Sequence, residues 1–307
     1  MTVLVTGANG QLGCWLRLVA AADPPFCFLF SDISELSPES REMLQKLGGE
    51  GLDFSTVFLD VTDLAAVREM VRRERVDAIV SCAAFTNVDA AESRPEIAEL
   101  LNVTATENLA VAMRETGGLL VHISTDYIFG GEVYDRPIPE DCPAAPLGVY
   151  GRTKWEGEEA VRRIGCRYVI LRTAWLFSEF GRNFVRTMLR LTAERPQIKV
   201  VNDQRGTPTY ARDLAEVILT ILGSPAPADV YNYTDAGECT WYEFACTIAE
   251  LAGHNSCEIL PCRSDEYPSP VRRPAYSVLN KSRIQAAFGL TIPAWPDSLR
   301  KCLKNIL

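Results

Sequence analysis

The sequence predicts an α/β fold with a doubly wound parallel sheet and a smaller C-terminal substrate-binding domain. Three observations lead to this prediction. The chain opens with an apolar strand, a glycine-rich turn and an apolar helix. Apolar runs of strand length then alternate with helical segments up to residue 172. Beyond residue 173 this alternation gives way to aromatic and proline-containing segments, which indicate a second unit.

The composition is typical of a globular protein with a large core. The chain has 307 residues, of which 47% are hydrophobic and 23% are charged. Its net charge of −9 argues against nucleic-acid or anionic-membrane partners. No apolar run approaches the ~20 residues that span a bilayer, and no secretory leader is recognisable. We therefore expect a cytoplasmic protein that binds neither nucleic acid nor membrane.

Ten cysteines are scattered along the chain without a CxxC pair, and only two histidines accompany them. This pattern is neither that of a zinc site nor that of a disulfide framework. We expect reduced and mostly buried thiols, as in a cytosolic protein.

The first strand, at residues 2–6, runs directly into Gly7-Ala-Asn-Gly10-Gln-Leu-Gly13 and a helix that extends to residue 22. Glycines allow a tight turn and a close approach of the backbone to a pyrophosphate, which then lies at the helix N-terminus. The spacing is GxxGxxG rather than GxGxxG. The turn favours a Rossmann-type nucleotide site over an ordinary glycine turn before a helix.

The second predicted strand, at residues 26–32, ends in Asp32, which lies 19 residues after Gly13. A carboxylate at about this distance binds the adenosine ribose hydroxyls, which would favour NAD over NADP. The alternative is a turn-forming aspartate at a strand end. The polar residues 34–54 that follow are predicted to be a surface excursion.

Four more strands are predicted in the first unit, at residues 56–60, 77–84, 119–124 and 167–172. Asp63 is expected to cap a helix through residue 73. The strand at 77–84 ends in small residues, which leave room for a cofactor. A long helix is predicted from Pro95 through residue 113. Within it, Asn102 either fixes a neighbouring loop or faces solvent.

Chemistry-bearing residues follow the fifth strand. Ser124-Thr125-Asp126 lies at its carboxyl end, where open α/β sheets place their ligands. Tyr150 and Lys154 are four residues apart at the start of a predicted helix and therefore share one face. A cation beside a phenol lowers its pKa from ~10, which suits the tyrosine to proton transfer. The alternative is an exposed helix start that carries both residues incidentally.

The remainder of the chain is predicted to form an interleaved lid. It comprises an aromatic segment from residue 175, a strand at 197–201, a helix at 212–222, a strand at 230–233 and a helix whose capping box is Thr240 and Glu243. The rest, rich in proline, is predicted to be loop. We assign residues 1–173 and about 205–232 to an NAD(P)-binding domain, and about 174–204 and 233–307 to a substrate domain.

Ten motifs distributed along nearly the whole chain point to one family. They are GANGQLG (7–13), DVTD (60–63), SCAAFTNVDAAE (81–92), STDYIFGG (124–131), PLGVYGRTK (146–154), RTAWLF (172–177), NFVRTMLRL (183–191), VVNDQRGTPT (200–209), TWYEFA (240–245) and YPSPVRRP (267–274). With them the chain resembles the extended short-chain dehydrogenase/reductases and, among these, the dTDP-4-dehydrorhamnose reductase family.

The resemblance implies an oxidoreductase of dTDP-rhamnose biosynthesis that reduces the C4 ketone of dTDP-4-dehydro-L-rhamnose with NADPH or NADH. It implies that Tyr150 is the acid, that Lys154 lowers its pKa and binds the nicotinamide ribose, and that Thr125 tunes the pair. The implied cofactor contacts, besides Tyr150 and Lys154, are Gly7, Gly10, Gln11, Leu12, Gly13, Asp32, Asp60, Val61, Ala83 and Ala84. The implied substrate contacts are Thr125, Asp126, Trp175, Arg272 and Arg273.

A homodimer is compatible with the resemblance, and some relatives of this kind place a divalent cation such as Mg²⁺ at a subunit interface. The glutamates for that ion are not identifiable here. The coenzyme preference, the nucleotide base and the role of the long segment at 33–55 stay open.

Two alternative functions are considered. The first is a nucleotide-sugar epimerase or 4,6-dehydratase on the same scaffold. A dehydratase needs an acid beside the Ser-Thr-Asp triplet, where this chain has Tyr127. The second is a non-catalytic NADP-binding subunit, similar to the regulatory subunit of methionine adenosyltransferase.

Overall fold

The computed structural model describes residues 1–22, 26–49, 51–225, 228–267 and 269–307. In this part of the chain, seven strands form one parallel sheet. They are β1 (Thr2–Thr6), β2 (Cys27–Asp32), β3 (Val57–Phe58), β4 (Ala78–Ser81), β5 (Leu119–Thr125), β6 (Arg167–Thr173) and β11 (Asp229–Asn232). Their order across the sheet is β11-β6-β5-β4-β1-β2-β3. This is the order of a dinucleotide-binding sheet with a seventh strand.

Helices cover both faces of this sheet. The α-helices of the described residues are α1 (Gln11–Ala22), α2 (Pro38–Gly48), α3 (Leu64–Arg73), α4 (Val88–Ser93), α5 (Pro95–Glu99), α6 (Ala105–Thr116), α7 (Gly148–Ile164), α8 (Phe184–Glu194), α9 (Ala211–Leu222), α10 (Trp241–Leu251), α11 (Ser282–Phe288) and α12 (Trp295–Ile306). Alternate residues of a strand point to opposite faces. Val3 and Val5 accordingly join the core beneath α1 and α9, whereas Leu4 joins the core beneath α3 and α6. The predicted doubly wound fold is confirmed.

Short paired strands and stacked aromatic rings follow β6. The pairs are β7 (Leu176–Phe177) with β10 (Thr209–Tyr210), β9 (Arg205–Gly206) with β12 (Cys239–Thr240), and β8 (Gln197–Val201) with β13 (Glu258–Cys262). Trp175 stacks on Trp241 with ring centroids 3.5 Å apart, and Phe184 stacks on Phe244 at 5.4 Å. The boundaries of the two domains remain a prediction.

The predicted surface excursion at residues 34–54 contains a helix, α2, which the sequence analysis did not predict. Ser37 caps the helix by accepting a hydrogen bond from the Ser40 backbone N at 3.1 Å. Leu44 is fully buried against the main core. Pro38 occupies the first turn, where its missing N–H costs nothing. The sequence Ser37-Pro38-Glu39 was therefore a helix-start signal.

The prediction of a loop-rich C-terminal region is wrong in part, because β13, α11 and α12 lie there. Pro296 stands in the first turn of α12, as Pro38 does in α2. Pro268, inside the motif at 267–274, lies outside the described residues. The caps predicted at Asp63 and at Thr240 with Glu243 are confirmed.

All ten cysteines are free thiols, and six of them are buried. None of the helices in the described ranges has the length and apolar character that a bilayer crossing requires.

Candidate active site

The glycine turn brings the ends of β1 and β4 together. Gly7 has a positive φ of 64°, and a Cβ there would lie 2.6 Å from the backbone N of Ala83. Only glycine fits such an approach. The Gly10 backbone N donates to the Gly7 carbonyl at 3.1 Å, and α1 begins at the next residue. The helix N-terminus therefore opens at the carboxyl edge of the sheet, where a pyrophosphate binds.

The start of α1 is also tied to the segment after β7. The Gln11 Oε1 accepts hydrogen bonds from Ser178 Oγ and from Asn183 Nδ2, each at 2.9 Å. Leu12 is buried, and a Cβ on Gly13 would lie 2.5 Å from the Ala8 Cα. The predicted residues from Gly7 to Gly13 thus form one compact turn.

Asp32 ends β2 beside this turn. Its Oδ2 accepts from the Asn9 backbone N at 3.1 Å, and its Oδ1 accepts from the Ser34 backbone N and hydroxyl at 3.1 and 2.9 Å. Three donors therefore fix the carboxylate, which stays partly exposed. Asp60 instead closes its own turn by accepting from Thr62.

Three further residues of the implied cofactor set lie at neighbouring strand ends. Val61 is buried after β3, and the partly exposed Ala83 and Ala84 follow β4. Their backbone, rather than their side chains, offers hydrogen-bonding groups at this edge of the sheet.

A buried arginine, which the sequence analysis missed, explains what holds the end of the 33–55 segment. Arg17 of α1 is 1% exposed and donates to the carbonyls of Asp53 and Ser55 at 3.3 and 2.8 Å. It also donates to Thr56 Oγ1 at 3.1 Å, and its guanidinium lies 4.2 Å from the centroid of the Phe30 ring. The segment is thereby fixed against α1, beside the glycine turn.

Lys154 lies on α7 with its ammonium group inside the protein. Its Nζ donates to the Ile123 carbonyl at 2.7 Å and lies 3.4 Å from His122 Nε2. Burial lowers the pKa of Lys154 to about 8, an effect that Glu158 and Cys82 partly offset. Burial also lowers the pKa of His122 well below its ordinary value, so this imidazole is neutral and accepts.

Tyr150 stands one turn earlier and is partly exposed. Desolvation by the surrounding protein raises the pKa of Tyr150 to about 12; a hydrogen bond with Thr125 lowers it, and the charge of Asp126 raises it. Lys154 is not among the causes of this shift, and the expectation that it lowers the pKa of Tyr150 stays a prediction. The spacing places both residues on one helix face, but the ammonium is directed at the end of β5.

Thr125 and Asp126 are buried at the end of β5, 4% and 2% exposed. Thr125 Oγ1 donates to Asp126 Oδ1 at 3.1 Å, while Asp126 Oδ2 makes no hydrogen bond within the described residues. Burial raises the pKa of Asp126 to about 6, partly offset by the Ser277 and Thr125 hydroxyls. The ring of Tyr127 packs edge-on against Tyr150, with centroids 5.4 Å apart.

Asn102 fixes a neighbouring loop, which decides between the two interpretations left open. It is fully buried in a π-helical turn at Leu100–Thr104 between α5 and α6. Its Oδ1 accepts from the Phe85 backbone N at 2.9 Å, and its Nδ2 donates to the Phe85 carbonyl and to Thr153 Oγ1 at 3.2 and 3.0 Å. Thr153 precedes Lys154, so Asn102 holds α7 in place beside the loop after β4.

The remaining predicted substrate residues lie in the C-terminal part. Trp175 has a positive φ of 47° and covers Gly206, where a Cβ would lie 2.6 Å from its ring. Arg273 pairs with Asp89 at 3.1 Å. Arg272 lines a cavity of about 420 Å³ together with Asp203, Gln204, Ser264, Asp265, Tyr267, Ser269, Val271, Arg273, Ala275 and Val201.

This arginine segment borders the catalytic helix. A Cβ on Gly148, the first residue of α7, would lie 3.0 Å from Val271 Cγ1. Val271, which precedes the two arginines, therefore contacts α7 at a residue two positions before Tyr150. Within the described ranges of this chain, no group of three or more His, Cys, Asp or Glu side chains is arranged to hold a metal ion.

Comparisons with known proteins agree with this geometry. A family model described as the RmlD substrate binding domain matches residues 1–307. The dTDP-4-dehydrorhamnose reductase of Salmonella typhimurium is 40% identical over 100% of this chain and 98% of its own length.

Two solved structures superpose over almost the whole chain. A dTDP-4-dehydrorhamnose reductase from Clostridium acetobutylicum has a TM-score of 0.87 at 34% identity, covering 99% of both chains. That of Bacillus anthracis, solved in complex with NADP, has a TM-score of 0.85 at 33% identity, covering 100% of this chain and 99% of its own. The chain therefore belongs to the RmlD family, the dTDP-4-dehydrorhamnose reductases.

Proposed function

We propose that this protein reduces the C4 ketone of dTDP-4-dehydro-L-rhamnose to dTDP-L-rhamnose, with NADPH or NADH as the reductant. The observation that carries the proposal is the convergence at the end of β5. Thr125 is the last residue of that strand, and Asp126 follows it. Tyr150 and Lys154 face the same strand end from α7. The glycine turn follows β1 in the same sheet. Family membership supplies the substrate class.

The residues present fit a nicotinamide dinucleotide. The N-terminus of α1 offers backbone N–H groups to a pyrophosphate, and Asp32 is fixed where it can accept from the adenosine ribose. An ammonium group has three donors. Two of those of Lys154 are directed at Ile123 and His122, which leaves the third for the nicotinamide ribose. When bound, the reduced nicotinamide supplies the hydride.

Tyr150 donates the proton that the C4 oxygen gains. An acid must be protonated before it acts, and the raised pKa of about 12 keeps this phenol protonated at neutral pH. Thr125 stabilises the phenolate that forms when its hydroxyl turns its one proton from Asp126 to the phenol oxygen. Lys154 provides a positive charge in this desolvated region. That charge favours negative charge on the C4 oxygen of the substrate and on the phenol oxygen of Tyr150.

The substrate is held by groups on both sides of the cleft. Asp126 accepts a hydrogen bond from a sugar hydroxyl through its free Oδ2. Trp175 provides an aromatic wall against the sugar, and Arg272 with Arg273 binds the diphosphate, to which the arginine fork is suited. The cavity at Arg272 accommodates the nucleotide end.

The finer expectations on setting and assembly belong to the same proposal. The free thiols are suited to a reducing cytoplasm. A homodimer is proposed, because Ile97 and Leu100 present apolar side chains, 43% and 44% exposed, on neighbouring turns. Sedimentation analysis showing a monomer at micromolar concentration would contradict the dimer.

The test is turnover of dTDP-4-dehydro-L-rhamnose, followed by nicotinamide absorbance with NADH and with NADPH. Tyr150→Phe is expected to lose about 10²–10⁴-fold in kcat while cofactor affinity changes little, because only the donated proton is removed. Tyr127→Phe is the matched control. It removes the neighbouring phenol, which is not the proposed donor, and should keep most of the activity.

Near-normal turnover by Tyr150→Phe would overturn the assignment of the acid. Tightly retained NAD⁺ with isomerisation of a nucleotide sugar would indicate an epimerase instead. Binding of NADP(H) without turnover of any 4-keto sugar nucleotide, together with co-purification of a synthetase, would indicate the regulatory-subunit alternative.

A further inference from the structure

The helix face that carries the catalytic pair continues beyond it. Glu158 and Arg162 follow Tyr150 and Lys154 at the same spacing of four residues, so all four lie in one row along α7. Glu158 is 0% exposed, whereas the other glutamates of this helix, at 156 and 159, are not buried. A fully buried carboxylate needs partners, and the mechanism above assigns it no role.

Four hydrogen bonds fix the Glu158 carboxylate. Its Oε1 accepts from Ser124 Oγ at 2.6 Å and from Arg172 Nε at 3.0 Å. Its Oε2 accepts from Arg172 Nη2 and from Arg162 Nη2, each at 2.8 Å. Burial opposes ionisation, but the two arginines and the serine outweigh it and lower the pKa of Glu158. The group is therefore an anion inside the protein.

These partners connect Glu158 to the reacting groups. Ser124 directly precedes Thr125, and in the sheet it pairs in register with Arg172 of β6. Through Ser124, the carboxylate fixes the strand end that presents Thr125 and Asp126. Arg172 also donates to the Glu140 carbonyl at 2.8 Å, which anchors it from the far side.

Glu158 is also the negative charge one turn from Lys154 on the same face of α7. The groups that face Lys154 are the Ile123 carbonyl and His122 of β5, Cys82 after β4, and Glu158 of α7. His122 is neutral, and burial raises the pKa of Cys82 to about 12, so neither is an anion at neutral pH. Glu158 is first among these groups in opposing the loss of a proton from Lys154.

We propose that Glu158 is a positioning residue for the reduction: its carboxylate fixes the end of β5 and keeps Lys154 in the ammonium form. This role rests on the proposed function, because Lys154 binds the nicotinamide ribose and supports the phenolate of Tyr150 there. The negative charge acts on Lys154, and the hydrogen bond acts on Ser124.

The test is the pH dependence of kcat and of NADH binding in Glu158→Gln. Without the anion, Lys154 loses its proton more readily. The basic limb of both profiles, near pH 8 in the unmodified enzyme because the pKa of Lys154 is about 8, should move to lower pH by about one unit. The matched control is Glu156→Gln, which removes a charge two residues away that pairs with Arg152 on the surface. Its basic limb should stay in place.

Ser124→Ala separates the two parts of the proposal. It removes the hydrogen bond to Glu158 and leaves the charge, so kcat should fall while the basic limb keeps its position. A basic limb that is unchanged in Glu158→Gln would overturn the electrostatic role. An unchanged kcat in Ser124→Ala would overturn the positioning role.

Two further measurements keep the result interpretable. NADH binding, followed by nicotinamide fluorescence, requires no sugar substrate. If the unmodified enzyme fails to turn over dTDP-4-dehydro-L-rhamnose, the proposed function fails, but the shift in the binding limb still tests Glu158. If Glu158→Gln does not fold because Arg172 is left unpaired, the double variant Glu158→Gln with Arg172→Met removes both buried charges. The same downward shift is expected, since Lys154 still lacks its anion.

Discussion

Two regions of the molecule bury carboxyl groups, and their neighbours differ. At the end of β5, Glu158 is surrounded by Arg172, Arg162 and a hydroxyl, and its pKa is lowered. Beneath the C-terminal helix α12, Asp235 lies beside a second carboxyl, that of Asp213. Burial and this like charge raise the pKa of Asp235 well above its ordinary value.

Burial alone disfavours the charge in both regions, so the neighbouring groups decide the outcome. At the end of β5, the positive charges of Arg172 and Arg162 keep the Glu158 carboxylate ionised. In the Asp213–Asp235 pair, Ser298 donates to Asp213 and the Tyr210 backbone N donates to Asp235 at 3.1 Å. Those donors are neutral, and burial with the like charge of Asp213 raises the pKa of Asp235. The first arrangement is suited to moving charge during a reaction, the second to packing.

Removal of the Lys154 ammonium, which lies near Glu158 at the end of β5, is expected to have the largest effect on turnover. Lys154→Met should lower kcat by about 10²–10⁴-fold, because the ribose loses its donor and the phenolate its stabilising charge. The NADH dissociation constant should rise as well, whereas in Tyr150→Phe it should change little. Steady-state kinetics and fluorescence titration measure the two effects. Circular dichroism of the variant controls for loss of fold, and a kcat within tenfold of normal contradicts the role.

Replacement of the buried carboxyl group of Asp126 should have an intermediate effect. Burial raises the pKa of Asp126 to about 6, so kcat/KM for the sugar should rise as the pH passes this value and the charged acceptor forms. Asp126→Asn keeps the shape without the charge. It should lose this rise and about tenfold in kcat/KM above pH 7, since charged hydrogen bonds are the stronger ones.

The measurement is a profile of kcat/KM between about pH 5 and 9, in which the profile of Asp126→Asn should be flat near pH 6. Ser277→Ala, which removes only a neighbouring hydroxyl, is the control and should retain the rise. If kcat/KM of Asp126→Asn still rises near pH 6, the rise belongs to the titration of another group.

Much of the first unit could be predicted from the sequence, because its signals are local. The glycine turn, Asp32 at a strand end, and Tyr150 with Lys154 are each defined within a few residues. The helix in the segment at 34–54 was missed because its polar residues were interpreted as a surface excursion, and the C-terminal region was mispredicted in part because proline was treated as a loop signal. Pro38 and Pro296 stand in first helical turns, where proline is favourable.

Partners that are distant in sequence could not be predicted. Asn102 acts through Phe85 and Thr153, which lie 17 and 51 residues away. The ammonium of Lys154 contacts the Ile123 carbonyl, 31 residues away, a partner that its spacing from Tyr150 did not indicate. Glu158 did have a signal, since the spacing of four residues that marks Tyr150 and Lys154 continues to it.

The smallest effect is expected in the acidic pair, where the measured quantity is stability rather than turnover. A carboxyl whose pKa is higher in the folded than in the unfolded state stabilises the fold fully below the unfolded value of about 4. That stability is lost as the pH rises toward the folded pKa. In Asp235→Asn the side chain is neutral at every pH and can donate to Asp213. The free energy of unfolding of the variant should therefore match that of the unmodified protein near pH 4 and exceed it at pH 8.

The gain in stability at pH 8 follows from the direction of the pKa shift, because the amide carries no charge that burial and Asp213 disfavour. Urea unfolding at the two pH values measures it, with kcat expected to stay within twofold because the pair lies outside the catalytic cluster. Asp229→Asn, an exposed aspartate paired with Arg283 on the sheet edge, is the control and should show no such pH dependence. Equal stabilities of Asp235→Asn and the unmodified protein at pH 8 would mean that Asp235 is ionised in the folded state. Lys281, which opposes the raised pKa and donates to Thr234 at 3.2 Å, would then be the cation responsible.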